Sequence, residues 1–437
     1  MAVQKREIFG WAMYDFANSA FATTILAVLF NQYFATVVAG GEKGVELFGF
    51  RLHGASFFTF TVSVSMAISA VFSPFLGAVA DASGSRKRFL MAFCYSAIVF
   101  TGLLYFIRAG NYWIGAIFFI IANIGFAEGN VFYNAFLPEI STEENIGRIS
   151  GLGWALGYIG GGALLAINLV MLKYPEWLGF AAGYFTVQDC FLSVALWWLI
   201  FSLPTFLFLK ERSKASLPHI EGNYFVEGYR RLRHTFHRVK TFKELSKFLL
   251  AFLIYNDGIE TVIVMASIFG ADVLGMKTNE LIIFFLMVQG IAFVGAMIFG
   301  FLADAIGNKK TVMVSLGIWC FIVLWAFQLG IIWAPKTEYW ILGVLVAIVL
   351  GGSQAASRSL QGLFTPDTNS AEFFAFFGVS GKFASIFGPL VYGILIAITG
   401  SVQSGVLSVL LFFIGGMVIL WTVNEKKGME EKRRPVL

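Results

Sequence analysis

The stretch GAVADASGSRK at residues 77–87 closes a long apolar block, and a close copy, GFLADAIGNKK, closes another at residues 300–310. Both copies fit the pattern G-x-x-A-D-x-x-G-x-[RK]-K. The glycines allow the tight backbone geometry that a reversal between two helices requires. The aspartate suits the N-terminus of a neighbouring helix, where the helix dipole favours an anion. The repetition therefore predicts two related halves in one chain.

The composition predicts an all-α integral membrane protein. Of the 437 residues, 58% are hydrophobic and only 13% are charged, whereas a soluble domain carries about 25% charged residues. The apolar residues fall in blocks of about 20, which is long enough to cross a bilayer. Backbone in lipid must satisfy its own hydrogen bonds, so each block should be a helix. We place twelve spans at roughly 8–38, 54–80, 88–108, 111–136, 149–173, 188–209, 247–274, 280–303, 311–334, 339–364, 373–397 and 401–423.

The distribution of basic residues predicts the orientation and the domains. Most of the 31 lysines and arginines lie in segments that share one side if both termini are cytoplasmic, as the positive-inside rule expects. The predicted domains are a six-helix bundle at 1–209, a basic linker at 210–246, a second six-helix bundle at 247–423 and a cytoplasmic tail at 424–437. The linker is either an amphipathic helix on anionic lipid or a solvated connector. The short loops favour a prokaryotic inner membrane.

Two further features carry a resemblance to a known family. WAMYDFANSAF at residues 11–21 opens the first span, and LPEI at 137–140 precedes GRISGLGWALGYIGG at 147–161. These motifs resemble the vacuole-effluxer-like family of the major facilitator superfamily, which takes its name from autophagy-related vacuolar amino-acid exporters. The repeated G-x-x-A-D-x-x-G-x-[RK]-K loop resembles the signature loop of that superfamily. The resemblance implies a twelve-helix major facilitator fold of two six-helix pseudo-repeats and, less directly, amino-acid export.

The resemblance also implies that the repeated loop latches one conformation of an alternating-access cycle. A tight charged turn that only sets topology is the alternative. The latch positions are Gly77, Asp81, Gly84, Arg86, Gly300, Asp304, Gly307 and Lys309.

Polar and ionisable residues inside a membrane are costly and usually functional. In the first span Asp15 and Asn18 share one face, and in the seventh span Asp257 and Glu260 do the same. The predicted substrate-binding residues are Tyr14, Asp15, Asn18, Asn130, Asn134, Asp257, Gln354, Arg358 and Lys382. Arg358 can bind a carboxylate bidentately and an acidic group can bind an ammonium, so a zwitterion would fit. Alternatively, Arg358 pairs with a carboxylate to hold helices together, and Lys382 serves structure or faces lipid.

The membrane-embedded carboxylates predict coupling to an ion. Asp15, Glu128, Asp257 and Glu260 outnumber the two embedded cations. A dry site would not tolerate that excess, so some carboxylates must be protonated, bind a cation or face water. We predict proton coupling through Glu260, Asp257 and Glu128; sodium coupling stays open.

Several other classes of protein are disfavoured. The sequence has neither an H-E-x-x-H pair nor a phosphate-binding G-x-x-x-x-G-K-[ST] motif, so we expect no enzyme activity, no cofactor and no metal. Its basic residues lie between apolar blocks rather than on one contiguous face, which argues against nucleic acid. The expected partners are a small-molecule substrate, membrane lipid and a proton or sodium ion, with the protein a monomer. A lipid flippase on the same fold is the rival hypothesis.

Overall fold

The computed structural model describes residues 5–47, 49–212, 242–384, 387–400 and 402–433. Within these ranges, twelve helices are long and apolar enough to cross a membrane, which confirms the predicted twelve-helix architecture. Numbered in chain order, spans 1 to 6 are Lys5–Val38, Gly54–Ser83, Arg86–Phe106, Tyr112–Ile140, Ile146–Lys173 and Val187–Phe208. Spans 7 to 12 are Lys243–Ala266, Glu280–Ile306, Asn308–Phe327, Pro335–Phe364, Asp367–Thr399 and Gln403–Trp421. Most of the predicted basic linker lies outside the described residues.

Several spans are built from more than one helix. Span 1 begins as the α-helix Lys5–Ala20 and continues through the wider turns Phe21–Val28, the α-helix Leu29–Tyr33 and a second wide segment, Phe34–Val38. Span 11 comprises a short turn Asp367–Asn369 and the helices Ser370–Phe383 and Phe387–Thr399.

Other helices extend or end the spans. Span 3 ends in a 3₁₀ turn, and span 4 ends in a separate short helix. Span 3 comprises Arg86–Leu103 and the turn Leu104–Phe106, and span 4 comprises Tyr112–Asn134 and Leu137–Ile140. The helix of span 7 is Lys243–Ile268, followed by the wide turn Phe269–Val273. The helices of spans 8 and 12 are Thr278–Ile306 and Val402–Trp421.

Three small elements lie between or after the spans. The strands β1 (Val45–Leu47) and β2 (Phe50–Leu52) form an antiparallel hairpin between spans 1 and 2. A short helix, Pro175–Leu178, follows span 5, and the helix Glu425–Lys432 follows span 12. The hairpin is a small departure from the predicted all-α chain.

The chain divides into two compact units. Unit 1 comprises Met1–Ser73, Ser83–Tyr133 and Leu156–Ala215, and unit 2 comprises Pro74–Ala82, Asn134–Ala155 and Ser216–Leu437. Unit 2 therefore holds spans 7 to 12 together with one end of spans 2, 4 and 5. We call these ends, with the loops that adjoin them, the motif end.

Glycines bring two helices of unit 1 into close contact. A Cβ added to Gly157 would lie 2.7 Å from the Ser19 Oγ, and one added to Gly160 would overlap the Phe16 carbonyl. Small residues permit such approach between membrane helices, where packing rather than the hydrophobic effect drives association. The outward surface instead carries large apolar side chains, such as Val71 and Leu207, as a lipid-facing surface requires.

Candidate functional site

Asp81, the aspartate of the first motif copy, binds the start of a helix in unit 2. Its two carboxylate oxygens accept the backbone N–H groups of Ala371 (3.2 Å) and Glu372 (2.9 Å) at the first turn of Ser370–Phe383. The Asp81 side chain is fully buried. Gly77 lies one turn earlier, where an added Cβ would come within 2.7 Å of the Ala371 carbonyl oxygen. Gly77 and Asp81 thus contact the start of the same helix, Gly77 by close backbone packing and Asp81 by hydrogen bonds.

Asp304, the aspartate of the second copy, makes the same kind of contact with another helix in unit 2. It accepts the N–H groups of Gly147 (2.7 Å) and Arg148 (3.2 Å), at the first turn of Ile146–Lys173. The Arg148 Nε also pairs with the carboxylate at 3.3 Å. A Cβ on Gly300 would lie 2.9 Å from the Gly147 carbonyl oxygen. Each copy therefore places its carboxylate where unpaired first-turn N–H groups and the helix dipole favour an anion.

The remaining predicted latch positions lie in the two turns or anchor them. Gly84 and Gly307 adopt positive φ values of 60° and 97°, the region that glycine enters without strain. Arg86 is fully buried in unit 1. Lys309 donates to the carbonyl oxygens of Trp421 (2.8 Å) and Val423 (2.6 Å) in unit 2. Both motif cations are therefore engaged by protein.

Two acidic residues that the sequence analysis did not select lie beside these turns. In unit 1, Glu211 accepts the Lys87 N–H at 3.1 Å, and burial raises the pKa of Glu211 although backbone N–H donors oppose the shift. In unit 2, Glu425 accepts the N–H groups of Asn308 and Lys309, both at 3.1 Å. The two glutamates occupy equivalent places in the sequence, because each follows the last span of its half within a few residues. That correspondence could have identified them as a pair.

Arg358 links span 10 to the motif-end segments of spans 4 and 5 inside unit 2. Its Nε donates to the Ser150 Oγ at 3.0 Å and its Nη2 to the Ser150 carbonyl oxygen at 2.6 Å. Its Nη1 donates to the Asn134 Oδ1 at 3.3 Å, and the guanidinium lies 5.1 Å from the centre of the Trp154 ring. Arg358 is 2% exposed. In this conformation its guanidinium links span 10 to spans 4 and 5 through Ser150 and Asn134.

Span 7 supplies two adjacent carboxyl groups in unit 2. The buried Asp257 accepts the Gly388 N–H at 2.8 Å, at the first turn of Phe387–Thr399. Thr261 donates to the Asp257 carbonyl oxygen at 2.7 Å, and a Cβ on Gly388 would overlap the Thr261 hydroxyl. Glu260 is partly exposed and receives a hydrogen bond from the Asn256 side chain. Asp257 is therefore committed to a helix N-terminus, whereas Glu260 keeps an exposed face.

In unit 1 the first-span motif packs on span 4. The Tyr133 hydroxyl donates to Asp15 at 2.9 Å, and the Tyr133 ring stacks on Tyr14 at a centroid distance of 4.9 Å. Asn18 donates to the Asn130 Oδ1 at 2.7 Å. Tyr14, Asp15 and Asn18, each predicted to bind substrate, thus contact span 4 through hydrogen bonds or ring stacking.

The remaining predicted residues are divided between the two units. Glu128 is fully buried in unit 1, and Gln354 and Lys382 are partly exposed in unit 2. Among the described residues, no three His, Cys, Asp or Glu side chains are arranged to hold a metal ion.

Comparison with known sequences gives consistent results. A sequence model of the family described as "Vacuole effluxer Atg22 like" matches residues 3–433. The MFS-type transporter YxiO of Bacillus subtilis is 31% identical over 419 residues, which cover 95% of this chain and 94% of the relative. Autophagy-related protein 22 of Eremothecium gossypii is 23% identical, over 99% of this chain and 93% of the relative.

Comparison with solved structures supports the same fold. The human organic anion transporter MFSD10 aligns with a TM-score of 0.70 at 14% identity, covering 95% of this chain and 99% of that one. The transporter FucP, solved in the outward conformation, aligns with a TM-score of 0.70 at 12% identity, covering 96% and 98%. At these identities the likeness establishes the fold alone.

Proposed function

Because this chain belongs to the vacuole effluxer Atg22-like family of major facilitator transporters, we propose that it moves a small, amino-acid-like organic solute by alternating access coupled to protons. The family and the fold make it an integral membrane transporter and not an enzyme. The observation that carries the coupling proposal is the pair of carboxyl groups on span 7, Asp257 and Glu260. We place it in a prokaryotic inner membrane as a monomer, with both termini in the cytoplasm.

Glu260 is the group to which we assign proton binding and release. Asp257, another carboxylate one turn away on span 7, interacts with it electrostatically. Two adjacent carboxylates within a membrane are tolerated when one is protonated or when a cation binds. Asp257 is held by the first turn of Phe387–Thr399, so the exposed face of Glu260 is the better place for a proton to enter and leave.

Groups for a zwitterionic solute exist in each unit. In unit 1, the Asp15 carboxylate can attract an ammonium group, and Asn18 and Asn130 supply amide groups about one turn away. In unit 2, the partly exposed Gln354 and Lys382 can bind a carboxylate. We assign Arg358 to the motif end rather than to solute in this conformation, because Ser150 and Asn134 engage its guanidinium.

We assign the latch to the paired aspartate contacts at the motif end. Asp81 joins span 2 to span 11, and Asp304 joins span 8 to span 5. For a solute to pass on this side, the helices must separate and these four N–H contacts must break. The latch thus favours the conformation in which the motif end is closed.

The test is solute uptake into proteoliposomes with an imposed pH gradient. A panel of labelled amino acids is offered to the wild type, to Glu260→Gln and to the matched control Glu176→Gln, which changes an exposed residue outside the spans. We expect saturable, gradient-driven uptake of at least one solute by wild type and control. Glu260→Gln should lose the response to the gradient while it retains solute exchange.

The other outcomes point elsewhere. Uptake that follows a sodium gradient and ignores pH would replace the proton with sodium. Flux equal to that of empty vesicles, together with scrambling of labelled lipid, would replace the solute with a lipid. A gradient response that survives in Glu260→Gln would remove Glu260 from coupling.

A further inference from the structure

An apolar cavity of about 110 Å³ lies within unit 2, away from the motif end. Its walls come from all six spans of the second half. Contributing side chains include Met265 of span 7, Phe284 of span 8, Tyr392 of span 11 and Val406 of span 12. The surface of the cavity is almost entirely carbon.

Two hydroxyl groups in the wall, those of Tyr339 and Thr261, are paired with backbone carbonyl oxygens. The Tyr339 hydroxyl donates to the Ala266 carbonyl oxygen at 2.7 Å, and the Thr261 hydroxyl donates to that of Asp257 at 2.7 Å. A water molecule needs two to four polar partners, so apolar cavities of this kind stay dry. A cavity of roughly 150 Å³ lined by Leu, Ile and Phe binds benzene or xenon. The cavity therefore suits a compact hydrocarbon group and excludes a zwitterion.

An occupant of the cavity contacts both span 7, through Thr261, and span 11, through Tyr392. Thr261 lies one turn beyond Asp257 on span 7, and Tyr392 lies on the helix Phe387–Thr399 whose first turn Asp257 binds. A hydrocarbon group in the cavity touches both elements that the Asp257–Gly388 hydrogen bond joins. Membrane spans surround the cavity, so acyl chains are abundant nearby.

We propose that this cavity is a binding site for a hydrocarbon group, either part of a lipid acyl chain or a free apolar molecule. The site is separate from the polar residues assigned to solute, and it does not depend on the proposed transport function. Its occupant makes dispersion contacts with several spans at once, which individually are weak and collectively substantial.

The experiment uses the full chain in nanodiscs and photolabelling. One arm contains phospholipid with a diazirine in its acyl chain, and the other contains unlabelled lipid and a small alkyl diazirine. Mass spectrometry gives the labelling yield at Met265, which lines the cavity, and at Ile263, an exposed residue on the same span. The readout is the ratio of the Met265 yield to the Ile263 yield. Val406→Phe fills the cavity, and Val418→Phe makes the same change at a lipid-facing position of span 12.

We expect the Met265 to Ile263 ratio to fall at least fivefold in Val406→Phe and to stay unchanged in Val418→Phe. A fall in the lipid arm identifies an acyl chain, and a fall only in the other arm identifies a free apolar compound. Val406→Ala enlarges the cavity and should raise the ratio, which keeps the test decisive if the phenylalanine variant fails to fold. Equal ratios in wild type and the Val406 variants in both arms would overturn the proposal.

Discussion

Replacing Asp81 with asparagine should release the helix Ser370–Phe383 from the motif end. The carboxylate accepts two N–H bonds in a fully buried position. Hydrogen bonds to charged groups contribute about 1.5–3 kcal/mol each, against about 1 kcal/mol for a neutral one. An asparagine keeps one neutral acceptor and presents an NH₂ group to the other donor. The expected loss is therefore about 3 kcal/mol, or about a hundredfold in the closed-to-open equilibrium.

Amide hydrogen exchange in nanodiscs measures this effect directly. The first N–H groups of a helix have no partner inside the helix, so protection of the Ala371 and Glu372 amides depends on Asp81. Exchange at these two amides should accelerate by about a hundredfold in Asp81→Asn. The matched control is Asp367→Asn, which changes a carboxylate that is 66% exposed and paired with Lys432.

A second pair of amides separates local loss from opening of the motif end. Asp304 holds the Gly147 and Arg148 amides by the same chemistry. If the motif end opens cooperatively, Asp81→Asn should accelerate exchange there too. Unchanged exchange at Ala371 and Glu372 would refute the role of Asp81 in protection. Acceleration confined to those two amides would refute a cooperative latch.

Two further substitutions test packing and charge. Gly160→Ala should destabilise the protein by about 2 kcal/mol, because the added Cβ overlaps the Phe16 carbonyl and forces spans 1 and 5 apart; thermal unfolding in detergent measures it. Glu211→Gln should weaken the fall in melting temperature as the pH rises above the unfolded pKa of a glutamate, about 4.3. Burial raises the pKa of Glu211, so its contribution to stability is complete below the unfolded pKa and is lost as pH rises through the folded pKa.

Each of these has a control and a contradicting result. Gly290→Ala changes a helical glycine whose added Cβ meets no atom within 4 Å, and a Gly160→Ala variant as stable as that control would contradict the packing argument. Glu176→Gln, at an exposed position, should keep the wild-type pH profile. A Glu211→Gln profile indistinguishable from wild type would show that burial does not govern this carboxyl group.

The sequence was sufficient for the fold because its main determinants are local. Each apolar block must be a helix in lipid, and the block count does not depend on knowing any tertiary contact. The repeated motif also indicated that Asp81 and Asp304 could face helix N-termini, since that follows from chain geometry and the dipole. The sequence predicts the ends of the spans less accurately than their number. Span 11, for example, begins at Asp367 rather than near residue 373.

The partners of the buried polar groups could not be read from the sequence. Arg358 is recognisable as an embedded cation, but nothing local indicates that Ser150 and Asn134 engage it. Asp257 likewise reads as a free carboxylate until Phe387–Thr399 is placed against it. Glu211 follows the last span of its half, but nothing in the polar segment around it indicates burial or a bond to the Lys87 N–H. These contacts join residues far apart in the chain, so only the assembled structure identifies them.

Asp81 and Asp304 both bind main-chain N–H groups, and this determines which genetic changes can reveal the proposed latch. Every amino acid except proline presents the same N–H at positions 371 and 372, so an alanine scan of that helix would score the contact as unimportant. A proline at position 372 would remove a donor, and inserting one residue before Ser370 would rotate the first turn by about 100°. Screens for this latch should therefore use proline substitutions and single-residue insertions.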